Sequence, residues 1–196
     1  MSESTATETS VAAWLRNRLD EIEAIKRDVR ELLDGLTDTQ VRWRPDARGW
    51  SIAECLDHIV LAGEPYLPRI EQMVAEAKTR SERRQPPLRP GMFAGWFVRS
   101  MEPPPRLRMK TFHAMEPGSP RPVAEVQSSF LALYDRLAQL LRSANGAAPH
   151  GARTTSPFLR LLRLTLDQAV GLLTAHARRH LWQARQVRHR PGFPQA

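Results

Sequence analysis

Two histidines near the C-terminal end of the chain have a spacing that suits metal binding. His176 and His180 are four positions apart in the stretch HARRH. In an α-helix this separation places both imidazoles on one face, about one turn apart, so that both can coordinate one metal ion. Two imidazoles in an apolar interior must be satisfied by hydrogen bonds or by a cation. The pair therefore predicts either a metal site or two histidines bonded to helix carbonyls and water.

The helix face that carries the two histidines is otherwise mostly apolar. At about 100° per residue, this face also holds Leu162, Leu166, Ala169, Leu172, Leu173, Gln183 and Val187. The opposite side carries Arg178, Arg185, Arg188 and His189. The pattern predicts that the pair lies within a buried stripe, and that much of the C-terminal positive charge faces solvent.

A third ligand is needed, because a catalytic metal usually has three protein ligands and an open coordination position. The best candidate is His58, which lies at the edge of an apolar stripe centred near Ile52 and Ile59. Glu54 and Cys55 share its side of the helix and could act as supporting partners or further ligands. The competing interpretations are a helix-capping role for Glu54 and a small buried apolar role for Cys55.

The other chemical signals in the sequence are weak. His113 and His150 lie beside Pro and Gly, and His189 faces outward, so none of them is assigned chemistry. A Gly-rich phosphate loop, a G-x-S-x-G elbow and an H-E-x-x-H motif are all absent from the sequence. The histidine group is the one constellation with chemical content, and no catalytic residue is predicted beyond the candidate ligands.

Composition limits the classes of protein to consider. The chain has 196 residues, one Cys and 29 Lys plus Arg against 21 Asp plus Glu, which gives a net charge of +8. A chain of this length can bury a core without disulfides, so we expect a single domain over residues 1–196. The net charge raises the possibility of nucleic-acid binding. Its placement on an outer helix face argues against a nucleic-acid partner, and apolar stretches far shorter than about 18 residues argue against a membrane partner.

Hydrophobic periodicity predicts four helical segments and no strand. The first begins after Ser10, a candidate N-cap, and ends at Gly35, with residues 1–9 expected to be flexible. The polar N-terminus lacks the features of a secretory signal, so we expect a cytoplasmic protein. The fold class predicted from these segments is an all-α four-helix bundle.

The remaining three segments have clear boundaries. The second begins with a capping box, in which Ser51 and Glu54 cap each other, and should be interrupted at Pro65 and Pro68. The third opens at Pro122 and ends at 145–146, and the fourth runs from about residue 164 to 188.

Residues 81–120 form a Pro-rich, basic segment between the second and third helices. A connection this long is typically a lid, a binding loop or a crossover, and the stretch GMFAGWFVRSM should form a short helix over the core. The segment also contains Arg83, Arg84, Arg89, Arg99, Arg106, Arg108 and Lys110, together with Phe93, Trp96 and Phe97. The cations are either a solvated charge run or, in a lid, anchors for an anionic substrate. The aromatic residues could cover the cleft or a partner subunit.

Two sequence elements together resemble a known family. Trp43, Pro45 and the stretch WSIAE at 50–54, followed by Leu56 and His58, precede the stretch HARRHLWQ at 176–183. In this order and spacing they resemble the DinB/YfiT-like superfamily, a group of four-helix-bundle proteins regarded as metalloenzymes. The resemblance covers essentially the whole chain. It implies a four-helix bundle with a long crossover between helices two and three, and a divalent cation, often zinc or nickel, bound by His58, His176 and His180.

The resemblance also suggests classes of reaction. Some members of the superfamily are thiol-dependent transferases or isomerases that use bacillithiol, mycothiol or glutathione. The leading hypothesis is thus a metal-dependent enzyme in which the cation acts as a Lewis acid on a bound thiol or water. The substrate would be a small molecule, with a low-molecular-weight thiol as cosubstrate in a transferase or isomerase. The alternatives are a metal-dependent hydrolase and a non-catalytic, stress-related protein with a structural metal. Dimers are common in the superfamily, so a homodimer is also expected.

Overall fold

The computed structural model describes residues 2–47, 49–83, 88–105, 111–118 and 121–195, with side chains from residue 13 onward. Seven α-helices and one short hairpin form in this part of the chain. The helices are α1 (Ser2–Leu33), α2 (Asp38–Arg42), α3 (Ile52–Gly63), α4 (Leu67–Glu82), α5 (Met92–Ser100), α6 (Val123–Ser143) and α7 (Leu166–Arg188). The hairpin pairs β1 (Arg153–Thr155) with β2 (Arg163–Thr165) in antiparallel register.

Four helical segments surround the core, namely α1, α3 continued by α4, α6 and α7. α1 and α3 each pack against both α6 and α7, and α4 continues α3 along the same two helices. Ile22 of α1, Ile59 of α3, Phe130 of α6 and Leu181 of α7 are all buried between them. This arrangement confirms the predicted all-α four-helix bundle and places α3 directly beside α7, the two helices that carry the candidate ligands.

The second predicted helix begins and breaks as expected. Ser51 Oγ accepts a hydrogen bond from the Glu54 amide at 3.2 Å, and the Glu54 carboxylate accepts one from the Ser51 amide at 2.9 Å. This capping box satisfies two N–H groups that the helix leaves without partners. Pro65 lies in a 3₁₀ turn, Glu64–Tyr66, that separates α3 from α4. The helix is therefore interrupted where the prolines predict it.

Two boundaries differ from the sequence predictions. α1 begins at Ser2, so Ser10 lies inside the helix and is not its N-cap. The preceding residues include Ala6 and Glu8, good helix formers that allow the helix to extend. The hairpin was not predicted either, because strands of three residues are too short to show a period of two.

The segment between α4 and α6 contains the predicted short helix. α5 buries Ala94 and packs Phe97 against the core, whereas Phe93 and Trp96 are exposed. The aromatic residues therefore divide between the core and the surface. Arg84, Arg106, Arg108 and Lys110 lie outside the described residues.

Several C-terminal arginines are held by contacts with other helices. Arg178 forms ion pairs with Glu21 and Glu102, and Arg185 pairs with Asp28 at 3.0 Å. These charges thus connect α7 to α1 and to the turn after α5, so they do more than face solvent. None of the helices in the described part of the chain is long and apolar enough to span a membrane.

Candidate metal centre

The three predicted ligands come together where α3 packs against α7. His58, His176 and His180 each offer a nitrogen, and these three atoms lie within 4.8 Å of one another. The Nε2 atoms of His58 and His176 are 3.2 Å apart. Nitrogens bound to one tetrahedral zinc ion at about 2.0–2.1 Å would be separated by about 3.4 Å. The separation of the His58 and His176 nitrogens is thus close to the one that a shared ion requires.

His58 is oriented by a hydrogen bond from the side of its ring away from the other histidines. Its Nδ1–H donates to the main-chain carbonyl of Met115 at 2.8 Å, which leaves the Nε2 lone pair directed at the group. Metal-binding histidines usually donate their second ring N–H to a carbonyl or carboxylate in this way. Met115 ends a 3₁₀ turn, His113–Met115, in the 81–120 segment. Sequence reasoning missed this partner, because a backbone carbonyl carries no residue-type signal.

His180 has a buried ring nitrogen that lacks a protein partner. Its Nδ1 atom has no hydrogen-bond partner among the residues that the structure describes, and the residue is only 9% exposed. Leaving a buried polar atom unsatisfied costs about 1–3 kcal/mol. A cation bound by this histidine group would offset the cost of the unsatisfied nitrogen, so the residues present fit a divalent metal.

Burial keeps all three imidazoles neutral. Desolvation lowers the pKa of His58, although its bond to Met115 opposes the change. Desolvation lowers the pKa of His176 to about 3, with His58 and Arg179 adding to the effect. The pKa of His180 falls well below its ordinary value, again mainly through desolvation. Neutral imidazole is the form that binds metals, so near pH 7 the group is ready to bind a cation without first losing a proton.

Trp50 covers the histidine group on one side. Its indole lies 4.8 Å from the His58 ring and 5.9 Å from the His180 ring, measured between centroids. Trp50 directly precedes the N-cap of α3, so the capping box that starts the helix also places the indole. The sequence indicates only that this loop tryptophan must dock somewhere, and the structure places it on two candidate ligands.

Comparison with known protein families gives a match over most of the chain. Residues 21–184 match the family described as the DinB superfamily. The chain belongs to the DinB superfamily. No curated protein matches the chain.

A solved structure shares the fold of this DinB-superfamily chain. YfiT from Bacillus subtilis is described as a probable metal-dependent hydrolase with an unusual four-helix bundle topology. The two are 16% identical, with a TM-score of 0.57 over 92% of this chain and 89% of the other. At this identity the likeness establishes the fold, and the activity of this chain must be argued from its own residues.

Glu54 and Cys55, the two other candidates in this DinB-superfamily chain, are not part of the histidine group. Both carboxylate oxygens of Glu54 accept hydrogen bonds from the Arg44 guanidinium. Burial raises the pKa of Glu54, but the bonds from Arg44 and Ser51 outweigh it and lower the pKa below its usual value. Cys55 is fully buried, which raises the pKa of its thiol. The capping and apolar interpretations therefore account for both residues.

A cavity of about 650 Å³ opens onto the histidines. The described part of the 81–120 segment contributes Phe97, Met101, Pro105, Thr111, Phe112 and Met115 to its wall. The described part of the segment thus covers the cavity with mostly apolar residues. Arg83, Arg89 and Arg99 are exposed and do not line this cavity, as the solvated alternative predicts for these three residues. The apolar side chains gain by leaving water, whereas the arginines gain by staying in it.

Arg179 contributes a positive charge to the described wall of the cavity. It lies between the two candidate ligands on α7 and lines the cavity. Desolvation lowers the pKa of its guanidinium, which also donates a long hydrogen bond to the Ser100 carbonyl at 3.4 Å. Apart from Arg179 and the histidines, the described lining side chains are uncharged. Sequence reasoning missed this role, although the residue lies within the HARRH stretch itself.

Proposed function

We propose that this DinB-superfamily chain is a metal-dependent enzyme acting on a small molecule, with a zinc or nickel ion bound by His58, His176 and His180. The observation that carries the proposal is the convergence of three neutral histidine nitrogens on the wall of a cavity. A bound divalent cation would supply Lewis acidity, lowering the pKa of a thiol or water coordinated to it. Three protein ligands leave at least one coordination position open toward the cavity.

The residues around the histidines have separate tasks. The Met115 carbonyl holds the tautomer of His58, and the Trp50 indole excludes water from one side of the ligands. Arg179 offers a guanidinium to an anionic group bound beside the metal. The charge of Arg179 would add to that of the cation, so the cavity favours a substrate that carries negative charge.

The rest of the cavity suits an apolar body. Phe97, Phe112 and Phe158 line it, and the hydroxyl groups of Tyr66 and Ser156 are hydrogen-bonded to each other at 2.7 Å on the same wall. A cavity of about 650 Å³ lies in the usual range for small-molecule sites. The substrate class that fits is therefore a small carboxylate or phosphate ester with an apolar or aromatic portion.

The nucleophile we propose is a low-molecular-weight thiol, which makes the reaction an S-transfer or a thiol-dependent isomerisation. The carboxylates of bacillithiol or glutathione would suit Arg179. The second candidate is hydrolysis, which is supported by the fold shared with YfiT, described as a probable metal-dependent hydrolase. Both reactions would use the same histidines and the same open position.

The metal is tested first. Protein purified without a His tag should contain about one equivalent of zinc or nickel by mass spectrometry, as expected for one three-ligand site. His176→Ala should lose it, and His113→Ala, whose side chain is 99% exposed, should keep it. If the wild-type protein contains no metal and His176→Ala is unchanged in every property, the proposal fails.

The reaction is tested with the metal-loaded protein. Bacillithiol, mycothiol and glutathione are each offered with anionic aromatic electrophiles, in parallel with ester and amide hydrolysis. We expect turnover that depends on thiol and disappears in His176→Ala. Thiol-independent hydrolysis would favour the second candidate. Loss of most of the thermal stability on chelation, with no turnover, would instead support a structural metal in a non-catalytic protein.

A further inference from the structure

A second cavity, separate from the histidine site, is lined by four arginines. It has a volume of about 580 Å³ and lies between the end of α4 and the hairpin. We call it the arginine groove, and its lining residues are Ala75, Glu76, Thr79, Arg80, Arg83, Leu88, Gly151, Ala152, Arg153 and Arg163. None of these residues lines the cavity at the histidines. A ligand bound here would be distinct from the substrate proposed above.

Close packing brings the two sides of the groove together. A Cβ atom at Gly151 would lie 2.8 Å from the Cβ of Ala77, so only glycine lets the chain pass this close to α4. Arg80 Nε donates to the Gly151 carbonyl at 2.9 Å, and Leu88 donates its amide to the His150 carbonyl at 2.8 Å. These contacts join the end of α4 and the residues after it to the distant stretch at 150–151 in one wall.

The two strands of the hairpin present Arg153 and Arg163 to the same side. Arg153 pairs with Thr165, and Arg163 pairs with Thr155, in the antiparallel register. Paired residues and residues two positions apart point to the same face of a sheet, so Arg153 and Arg163 share a face. The Arg153 guanidinium also donates to the Arg89 carbonyl, which limits its freedom.

The positive charge of the groove is poorly balanced within the described part of the chain. Its one acidic lining residue is Glu76, whose carboxylate also accepts a hydrogen bond from Gln72 at 3.0 Å. Arg83, Arg153 and Arg163 form no ion pair with any carboxylate that the structure describes, whereas Arg18 and Arg178 of the bundle do. Like charges held close together repel, so an anion bound between them would be stabilised.

We propose that the arginine groove binds a small molecule carrying a diphosphate group. The planar guanidinium fork matches phosphate oxygens in a two-point contact. Two linked phosphates offer several acceptor oxygens, so the guanidiniums of Arg83, Arg153 and Arg163, which pair with no described carboxylate, together suit a diphosphate. The volume is that of a small-molecule site, which leaves room for an organic group on the diphosphate.

The probe is inorganic pyrophosphate, titrated calorimetrically into the full-length protein of known metal content. We expect one saturable site per chain. The double variant Arg83→Ala with Arg163→Ala should weaken binding at least about tenfold. The matched control is Arg27→Ala with Arg190→Ala, which removes the same charge from exposed positions outside the groove. It should bind as wild type does. A thermal melt checks that each variant folds. If the groove variant does not fold, Arg83→Gln with Arg163→Gln takes its place.

Three outcomes would overturn the inference. Equal weakening in both double variants would show a general charge effect, and a lack of saturation would show that no site exists. Loss of binding in His176→Ala, but not in the groove variant, would assign the pyrophosphate to the histidine site. Preferential binding of duplex DNA, with a steep salt dependence, would make the groove a nucleic-acid surface instead. None of these results bears on metal binding at the histidines, so the two proposals can fail separately.

Discussion

The ring of His58 and the backbone of Met115 are joined by a hydrogen bond of 2.8 Å between residues 57 positions apart in the sequence. The donor lies in the bundle and the acceptor in the 81–120 segment. The segment therefore does more than cover the cavity, because it fixes which nitrogen of a candidate ligand faces the metal site.

Replacing residues 111–118 by a Gly/Ser linker of equal length should weaken metal binding, because the flexible linker would no longer hold the carbonyl at position 115 against His58. Losing the partner that orients a metal-binding histidine typically costs about 10–100-fold in affinity. Competition with a coloured chelator measures the change. Met115→Ala retains the carbonyl and should bind metal as the wild type does. An unchanged affinity in the linker variant would show that the hydrogen bond does not support the site.

Glu54→Ala should destabilise the fold without loss of metal. The carboxylate caps α3 and pairs with Arg44, and the residue is only 3% exposed. Losing a cap and a buried ion-pair partner should lower the free energy of unfolding by about 1–3 kcal/mol, measured by urea denaturation. Ser51→Ala, which removes only the other half of the capping box, should cost less. Loss of the metal in Glu54→Ala, with the fold intact, would make Glu54 a ligand after all.

Cys55 should be inert in the folded protein. Its side chain is fully buried, which raises the pKa of the thiol, so the reactive thiolate is scarce. Alkylation by iodoacetamide should be undetectable in native conditions and complete in denaturant, which serves as the control. Cys55→Ala should retain the metal. Rapid alkylation in the native state, suppressed by added zinc, would instead indicate contact with the site.

The parts of the structure that the sequence predicted are those set by local rules. The capping box at Ser51 and the break near Pro65 depend on neighbouring residues and are confirmed. The histidine spacing and the apolar stripes predict which faces of α3 and α7 meet. These local signals are enough to bring His58, His176 and His180 together.

The parts that could not be predicted depend on tertiary contacts. Met115 acts through a carbonyl that every residue possesses, and Trp50 gains its role only once α3 docks on α7. For Arg83, Arg89 and Arg99 the sequence left a solvated run and a substrate-binding role open, because it does not show which side of a loop faces a cavity. Arg179 was undervalued for the same reason, since helix periodicity alone does not locate the cavity entrance.

The metal-free protein should become less stable as the pH falls below about 6.5. In the unfolded chain the three histidines have their ordinary pKa of 6.5, whereas in the folded protein that of His176 is about 3 and those of the other two are also lowered. Between these values the unfolded state binds more protons. The stabilisation is therefore complete above about pH 6.5 and is lost toward the folded pKa, by up to about 1.4 kcal/mol per pH unit for each histidine.

Urea denaturation in the presence of a chelator, at a series of pH values from neutral to mildly acidic, measures this slope. His176→Gln should reduce the proton uptake on unfolding by about one, because it removes one buried imidazole. His113→Gln, at a fully solvent-exposed position, should leave the slope as it is. An identical slope for His176→Gln and the wild type would show that His176 is not held neutral by the fold.

Arg179→Gln should reduce the affinity of the cavity for anionic ligands and spare neutral ones. The guanidinium lies beside the candidate ligands, and the other described side chains of the wall are uncharged apart from the histidines, so a carboxylate bound there loses this charged partner in the variant. Loss of a charge-assisted hydrogen bond of this kind should weaken binding about tenfold.

Phenylpropionate and its amide, titrated into metal-loaded protein, form a suitable pair of probes because they share an apolar body. The wild type should prefer the carboxylate, and Arg179→Gln should bind the two alike. Arg185→Gln removes a charge that pairs with Asp28 outside the cavity and should keep the preference. If Arg179→Gln retains the preference for the carboxylate, the anion is recognised by the metal alone, and the arginine serves only to hold α5 through Ser100.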